Sequence, residues 1–462
     1  MTDARSPFTA VFLALALAAC SVGPDYAPPQ QELATRFAEG AADPIGEASA
    51  QQWWLGFGDP MLDDLVRTGL AQNLDIQSAL ARVAEAQAAA RATGLPAQID
   101  GAASWQAARS GGEGIATDTS GTASFSPSLL LDLFGGERRT REQALAQLQS
   151  AELGVGEARL AFLSSLVSGY IDLRYYQAAL AVTRQTIASR AQTLALVQQQ
   201  RTAGLATELD EAQAQASLDE SRASLPSLES GFYASSYAIA TLLALPVQTL
   251  QSRLERGAAQ PHPRGNARVG VPANLLRNRP DIRAAERDYA AAVAAIGVSE
   301  AQLYPSVSIS GTVTAAQNDS WSFGPALSLP VLGQGVLRAN RDQAIAQADQ
   351  ARLEWRSAVL GAVEEAQAAQ TDYLRNRRAV AAYRRNVASY DRVVALSRET
   401  YDGGTTTLMD LLESQRSLAS ARLSLASAMR DLAASWATLH VAAGLGWQLP
   451  ASAGQGRPAG SG

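Results

Sequence analysis

Between Glu137 and Ala203 the chain keeps a helical, alanine-rich pattern for 67 residues without one proline. As a single helix at ~1.5 Å per residue this stretch spans roughly 100 Å. Ordinary globular helices are far shorter, so the segment needs other helices packed along it in coiled-coil fashion. Its end is marked. Gly204 supplies a left-handed C-cap, and Thr207 with Asp210 three residues on comes close to a capping box. A second helix then returns toward Leu245 and Pro246, with a kink expected at Pro226. The product is a helical hairpin.

The hairpin is encoded twice. Gly404, Thr407, Asp410, Leu418 and Arg422 follow Gly204, Thr207, Asp210, Leu218 and Arg222 at a constant offset of 200. A second long helix runs to Asp402, ahead of the tip GGTTTLMDLLESQ. Upstream of each long helix lies a shorter helical pattern, QQWW…RA ended by Pro96 and NLLRNRP…LYP ended by Pro305. The inference is an internal duplication of about 200 residues. It divides the chain into repeat 51–257, a Pro/Gly-rich linker 258–272, repeat 273–449 and a tail 450–462 expected to be disordered.

Before each long helix the period changes to two. Ile99, Gly101, Ala103 and Trp105 face one way, against Gln98, Asp100, Ser104 and Gln106. SGGEGIATDTSG reads as a Gly-rich loop. Phe125, Pro127, Leu129, Leu131 and Leu133 then oppose Ser124, Ser126 and Ser128. In the second repeat Val307, Ile309 and Val313 oppose Ser306, Ser308, Ser310 and Thr312. AQND turns the chain, and Trp321, Phe323, Leu327, Leu329 and Val331 oppose Ser320, Ser322 and Ser328. Strands of about 10 residues suit a tilted bilayer crossing, with a wet polar side and an apolar side on lipid. A half-buried sheet in water gives the same alternation. Four strands leave two bare edges, and lipid offers their backbone groups no water. The sheet therefore stays out of the membrane, or copies of the chain close it: eight strands from two chains, twelve from three.

Composition removes other classes. Net charge is −6, against a nucleic-acid partner. All 38 basic residues are arginine. No second run of about 18 apolar residues offers a transmembrane helix. Leu17-Ala18-Ala19-Cys20 closes the short apolar run FTAVFLALALAA and carries the only cysteine, so no disulfide framework exists. These four residues resemble a lipobox: residues 1–19 are the expected signal peptide and Cys20 the lipidated first residue of a Pro-rich segment, 20–50. Ser21 beside it resembles lipoproteins sent to the outer membrane, and two acyl chains suffice for stable anchoring. No acid–base constellation, phosphate loop or metal-ligand spacing appears; GVGEA sits inside a helix, and His262 and His440 read as structural. No enzyme activity, cofactor or metal is expected.

WWLGFGDPMLDDLVRTGLAQNLDIQSALARV, RNRPDIRAAERDYAAAVAAIGVSEAQLYPSVSISG and TLHVAAGLGW resemble the outer-membrane factors of tripartite efflux, specifically the TolC/NodT-like lipoproteins, over nearly the whole mature chain. The resemblance implies an α+β membrane protein. Three chains give a twelve-stranded barrel in the outer membrane, continuous with a periplasmic α-helical barrel that tapers at the hairpin tips. It implies Trp105, Phe125, Leu129, Leu131, Ile309, Trp321, Phe323 and Leu327 on lipid. It also implies a passive exit duct for small molecules, docked to a periplasmic adaptor and an inner-membrane RND-type pump. Residue by residue, the family's gate falls on Tyr401, Asp410 and Glu413, with Asp210 as the acidic partner at the first tip; Gly404 matches the family's tip glycine. Asp410 and Glu413 share one helix face and would ring the pore with negative charge, although both acids also suit a helix N-terminus. Thr406 departs from the family's basic residue, which leaves a Tyr401–Asp210 hydrogen bond or another arginine as the closing link. Gly204, Leu205, Gly404 and Thr405 match the adaptor-contact grooves, a pattern that turn chemistry alone also satisfies. A type I secretion duct and a non-channel coiled-coil lipoprotein scaffold are the alternatives.

Overall fold

The computed structural model describes residues 21–39, 45, 48–264, 270–316 and 318–448. The expected signal peptide, Cys20, part of the linker and the tail 450–462 lie outside these residues. Two compact units are present, one made of 21–32, 79–155 and 280–359, the other of 33–78, 156–279 and 360–448. In chain order the helices are α1 (Pro60–Gln72), α2 (Leu74–Arg91), α3 (Leu95–Gln98), α4 (Gly136–Thr202), α5 (Glu208–Ala223), α6 (Leu225–Leu242), α7 (Val247–Leu254), α8 (Pro272–Asn278), α9 (Pro280–Ala301), α10 (Gln334–Asp402) and α11 (Leu408–Ala442). Among the described residues no helix is long and apolar enough to cross a membrane.

The first unit holds the sheet. Strands β1 (Ile99–Gly112), β2 (Ile115–Leu131), β3 (Ser306–Ala315) and β4 (Ser320–Ser328) pair antiparallel in chain order. Register sorts the side chains. Phe125 lies opposite Ala103 and Val313, Leu129 opposite Ile99 and Ile309, and Leu131 opposite Val307. Trp321 pairs with Val313 and Leu327 with Val307. Because facing residues share a side, every one of these apolar groups falls on one face of the sheet. The other face carries hydroxyls, and Ser104 Oγ lies 2.8 Å from Ser124 Oγ across β1 and β2. Gly311 pairs with Phe323, whose ring lies over it; a Cβ there would sit 2.1 Å from the ring. The apolar face has no cover among the described residues: Trp105 is 75% exposed and Trp321 77%.

Two strand expectations change. The Gly-rich stretch 110–121 is a continuation of the hairpin, and only Glu113 and Gly114 turn between Gly112 and Ile115. Serine and threonine keep the ladder going where glycines suggested a loop, so β1 and β2 reach 14 and 17 residues. At the other end, β2 stops before Leu133 and β4 before Leu329 and Val331.

The segment after Cys20 is strapped onto this unit. Val22 N–H donates to the Phe134 carbonyl at 3.1 Å. The buried Arg139 reaches the Val22 carbonyl (3.1 Å), the Gly23 carbonyl (3.2 Å) and Asp25 (2.8 Å). Tyr26 donates to Glu286 at 2.8 Å, and Arg287 donates to the Tyr26 hydroxyl at 3.2 Å.

Helix α4 spans Gly136–Thr202 and α10 Gln334–Asp402, close to the expected bounds. The shorter helices differ. The first helical pattern breaks at Asn73, whose side chain accepts from Asp75 and Ile76 N–H and donates to the Leu242 carbonyl. It ends at Arg91, and Pro96 opens the short α3 instead of ending a long helix. Pro280 splits the matching pattern in the second repeat into α8 and α9, and α9 stops at Ala301, ahead of Pro305. The expected kink at Pro226 is a break at Ser224. Its counterpart at the 200 offset is Ala426, and α11 runs through it unbroken.

Two polar knots hold the second unit. Arg174, 2% exposed, donates from Nε (2.9 Å) and Nη2 (2.8 Å) to the Tyr170 hydroxyl and from Nη1 to the Arg256 carbonyl (2.8 Å). Tyr170 in turn donates to Asp59, the N-cap of α1, at 2.5 Å. Elsewhere His440 lies buried against Trp53 and Trp436, its Nδ1 2.8 Å from the Trp436 carbonyl. This placement agrees with a structural role for His440. Burial pushes its pKa down to about 4.

Two outcomes follow from these knots. Arg174→Met leaves the Arg256 carbonyl and the Tyr170–Asp59 pair without their cation, and is expected to cost about 3 kcal/mol, against about 1 for Tyr170→Phe; urea midpoints of the detergent-solubilised protein measure both. His440 must stay neutral to fold. Its contribution is complete above the ordinary imidazole range near 6.5 and is lost as pH falls toward 4, a loss of roughly 3 kcal/mol. His440→Gln should flatten that slope in stability measured from pH 7 to pH 4.

Candidate functional site

The hairpin tips lie within the second unit and are built alike. At the end of α4, Gly204 N–H donates to the Arg201 carbonyl (2.9 Å) and Leu205 N–H to the Gln200 carbonyl (2.8 Å). At the end of α10, Gly404 N–H donates to the Tyr401 carbonyl (3.0 Å) and Thr405 N–H to the Thr400 carbonyl (2.9 Å). Both are Schellman caps, which need a left-handed residue; Gly204 and Gly404 provide it with φ of 75° and 71°.

Each return helix then opens on a complete capping box. Thr207 Oγ1 accepts from Asp210 N–H (3.2 Å) while the Asp210 carboxylate accepts from Thr207 N–H (2.8 Å). Thr407 and Asp410 repeat the exchange at 3.3 and 3.2 Å, and Thr406 Oγ1 adds a bond to Asp410 at 3.2 Å. These bonds, chiefly from Thr207 and Thr407, hold both carboxyls below the usual range.

The tips pack together through Leu194 and Val197 of α4, Ala214 and Leu218 of α5, and Leu408 and Leu412 of α11, with Tyr401 alongside. The Tyr401 hydroxyl donates to Gln200 Oε1 at 2.7 Å. Burial, then the charges of Asp210 and Asp402, raise its pKa. The Tyr401–Asp210 hydrogen bond, one of the two closing links expected, does not form within the chain; the Tyr401 hydroxyl donates to Gln200 instead. Gln200 was not foreseen: nothing in a single sequence pairs a glutamine on one hairpin with a tyrosine on the other.

Glu413 lies one turn beyond Asp410 and is bonded to Arg416 at 2.9 Å. That arginine, then Ser417, lowers its pKa. The two acids thus share a helix face but each has a local partner. Outside the tips' packed core, Leu205 is 80% exposed and Leu209 65%. The adaptor-contact candidates Gly204, Leu205, Gly404 and Thr405 all fall on the two turns. Among the described residues no group of three or more His, Cys, Asp or Glu could hold a metal ion.

A profile of the outer membrane efflux protein family matches residues 65–245 and 271–445. The chain belongs to that family. Its members are outer-membrane efflux channels that extend into the periplasm; they are conduits rather than enzymes, and work as trimers with adaptor and inner-membrane pump partners. Nodulation protein T of Rhizobium leguminosarum bv. trifolii is 39% identical over 97% of this chain and 99% of its own length. The pyoverdine export outer membrane protein OpmQ of Pseudomonas aeruginosa is 29% identical over 88% of this chain and 90% of its own. Among solved structures, the outer-membrane channel OprN superposes with a TM-score of 0.84 at 30% identity, covering 93% of this chain and all of that one. In fold alone, the open state of the MtrE channel of Neisseria gonorrhoeae matches at 0.83. With four strands per chain and long helices, the expected fold class holds: a trimeric twelve-stranded barrel continuous with a helical barrel. The protein is an outer-membrane exit duct.

If the caps order the tips, Thr207→Val and Thr407→Val should each raise amide exchange in the first turn of α5 or α11 by about fivefold, with the middle of α4 unaffected. Hydrogen exchange followed by mass spectrometry reads this directly.

Proposed function

We propose that this chain forms a homotrimeric, lipid-anchored exit duct that receives small molecules from an RND-type inner-membrane pump through a periplasmic adaptor. The single observation that supports it best is the sheet register. It gathers Trp105, Phe125, Leu129, Leu131, Ile309, Trp321, Phe323 and Leu327 on one uncovered face, with hydroxyls behind them. In water such a face is a liability, whereas against lipid it is the outer wall of a barrel.

Cys20 carries the acyl anchor in this reading. The strap supports it, because Arg139 and Val22 fix the residues just after Cys20 beside the junction of β2 and α4. The adaptor meets the two turns at Gly204, Leu205, Gly404 and Thr405, where exposed Leu205 offers an apolar contact. Tyr401, Asp210, Asp410 and Glu413 form the gate. The Tyr401–Gln200 bond supports a closing link of the hydrogen-bonding kind, in place of the family's basic residue at Thr406. Acids from three chains surround one opening and favour cations.

Conductance in a planar lipid bilayer tests the reading. The wild type should form cation-preferring channels, and Asp410→Ala/Glu413→Ala should conduct more with weaker cation preference. A double variant identical to the wild type removes those gate residues and leaves the duct. Absence of conductance in both, together with a Cys20→Ser protein that washes off membranes, defeats the barrel reading.

A further inference from the structure

Helix α10 carries its charge unevenly. Between Arg375 and Arg398 it holds seven arginines and one acid, Asp391. Tyr373 and Val380 on one side of this stretch are buried. On the opposite side Arg378, Ala382, Arg385, Ser389, Arg392 and Leu396 are all exposed. They recur at alternating steps of four and three residues, the spacing of a coiled-coil seam. The side chains of Arg378, Arg385 and Arg392 make no hydrogen bond or ion pair among the described residues.

Helix α5 presents a complementary face. Leu209, Ala212, Ala216, Asp219 and Ala223 are exposed at steps of three and four residues, away from the buried Ala214, Leu218 and Ser221. The helix holds five acids, Glu208, Asp210, Glu211, Asp219 and Glu220, and one arginine, Arg222. Asp219 accepts from Gln215 (2.8 Å) and Arg222 (3.3 Å), and Glu220 from Arg190 (3.2 Å). Both acid side chains stay more than half exposed, at 56% and 69%, and a carboxylate has room for further donors. One seam is long and basic; the other is mostly alanine with acids beside it.

The two seams also match in height. Gln415 donates to Thr193 at 3.0 Å, and these residues lie eleven positions after Gly404 and eleven before Gly204, so the hairpins stand level. A threefold axis along the helices keeps neighbouring copies level too. At equal distance from the tips, Leu396 is level with Ala212, Arg392 with Ala216 and Arg385 with Ala223. Asp219 and Glu220 fall between the two arginine levels.

We propose that the α10 seam of one copy packs against the α5 seam of the next, with Arg385 and Arg392 bracketing Asp219 and Glu220 of the partner subunit. This inference rests on the trimeric assembly and names the charged surfaces that close it. Like seams repel: α10 against α10 opposes arginines, and α5 against α5 opposes acids. The contact is therefore heterologous, second hairpin to first, which is the kind that closes a ring.

Two measurements on the full-length protein in detergent test this. Leu396→Cys/Ala212→Cys leaves every seam charge in place; on oxidation it should give disulfide-linked trimers on a denaturing gel, and neither single variant should. Arg392→Glu and Asp219→Arg should each raise the dissociated fraction at low salt about fivefold, and the two combined should return it close to wild type. The proposal is overturned if the double-cysteine protein is trimeric but stays unlinked, or if the charge swap brings no rescue. It is also overturned if the reversed variants stay trimeric and lose only capture of a purified adaptor, which assigns the face to that partner. A channel that conducts without cross-linking sinks the seam and leaves the duct.

Discussion

A four-stranded sheet with two open edges cannot rest in hydrocarbon. Each unpaired N–H or C=O would lose water and gain nothing, at several kcal/mol per group. This constraint makes the chain incomplete alone. Among the described residues β1 and β4 pair on one side only, and the apolar face between them carries tryptophans without a covering layer. Other copies must supply the missing ladders. The edges demand closure by further copies, and the family to which the chain belongs closes them as a trimer.

Much of this was legible because it is written in local periodicities. The alternation at Phe125–Leu131 survives as register, and the constant offset between the tips survives as matched Schellman caps and capping boxes. These depend on residues a few positions apart, where spacing determines geometry. What the sequence hid was decided at long range. Asn73 breaks a helix by capping α2 and bonding the Leu242 carbonyl, a partner 169 residues away. Tyr401 finds Gln200 at a separation of 201. The glycines of 110–121 misled differently: the neighbouring strand's ladder overrode their weak local preference.

The tip acids show how one side chain serves two demands. Asp210 and Asp410 each start a return helix, and the threonine bonds that do so hold their carboxyls below the usual range. The bonds that order the two turns thus also favour their negative charge.

Duplication gave the two hairpins one plan, yet Pro226 in the first faces Ala426 in the second. One return strut is jointed at Ser224 and the other is a continuous rod. A ring of three chains carries six such hairpins, three with a broken return helix and three with a continuous one, so its repeat is set by the chain and not by the hairpin.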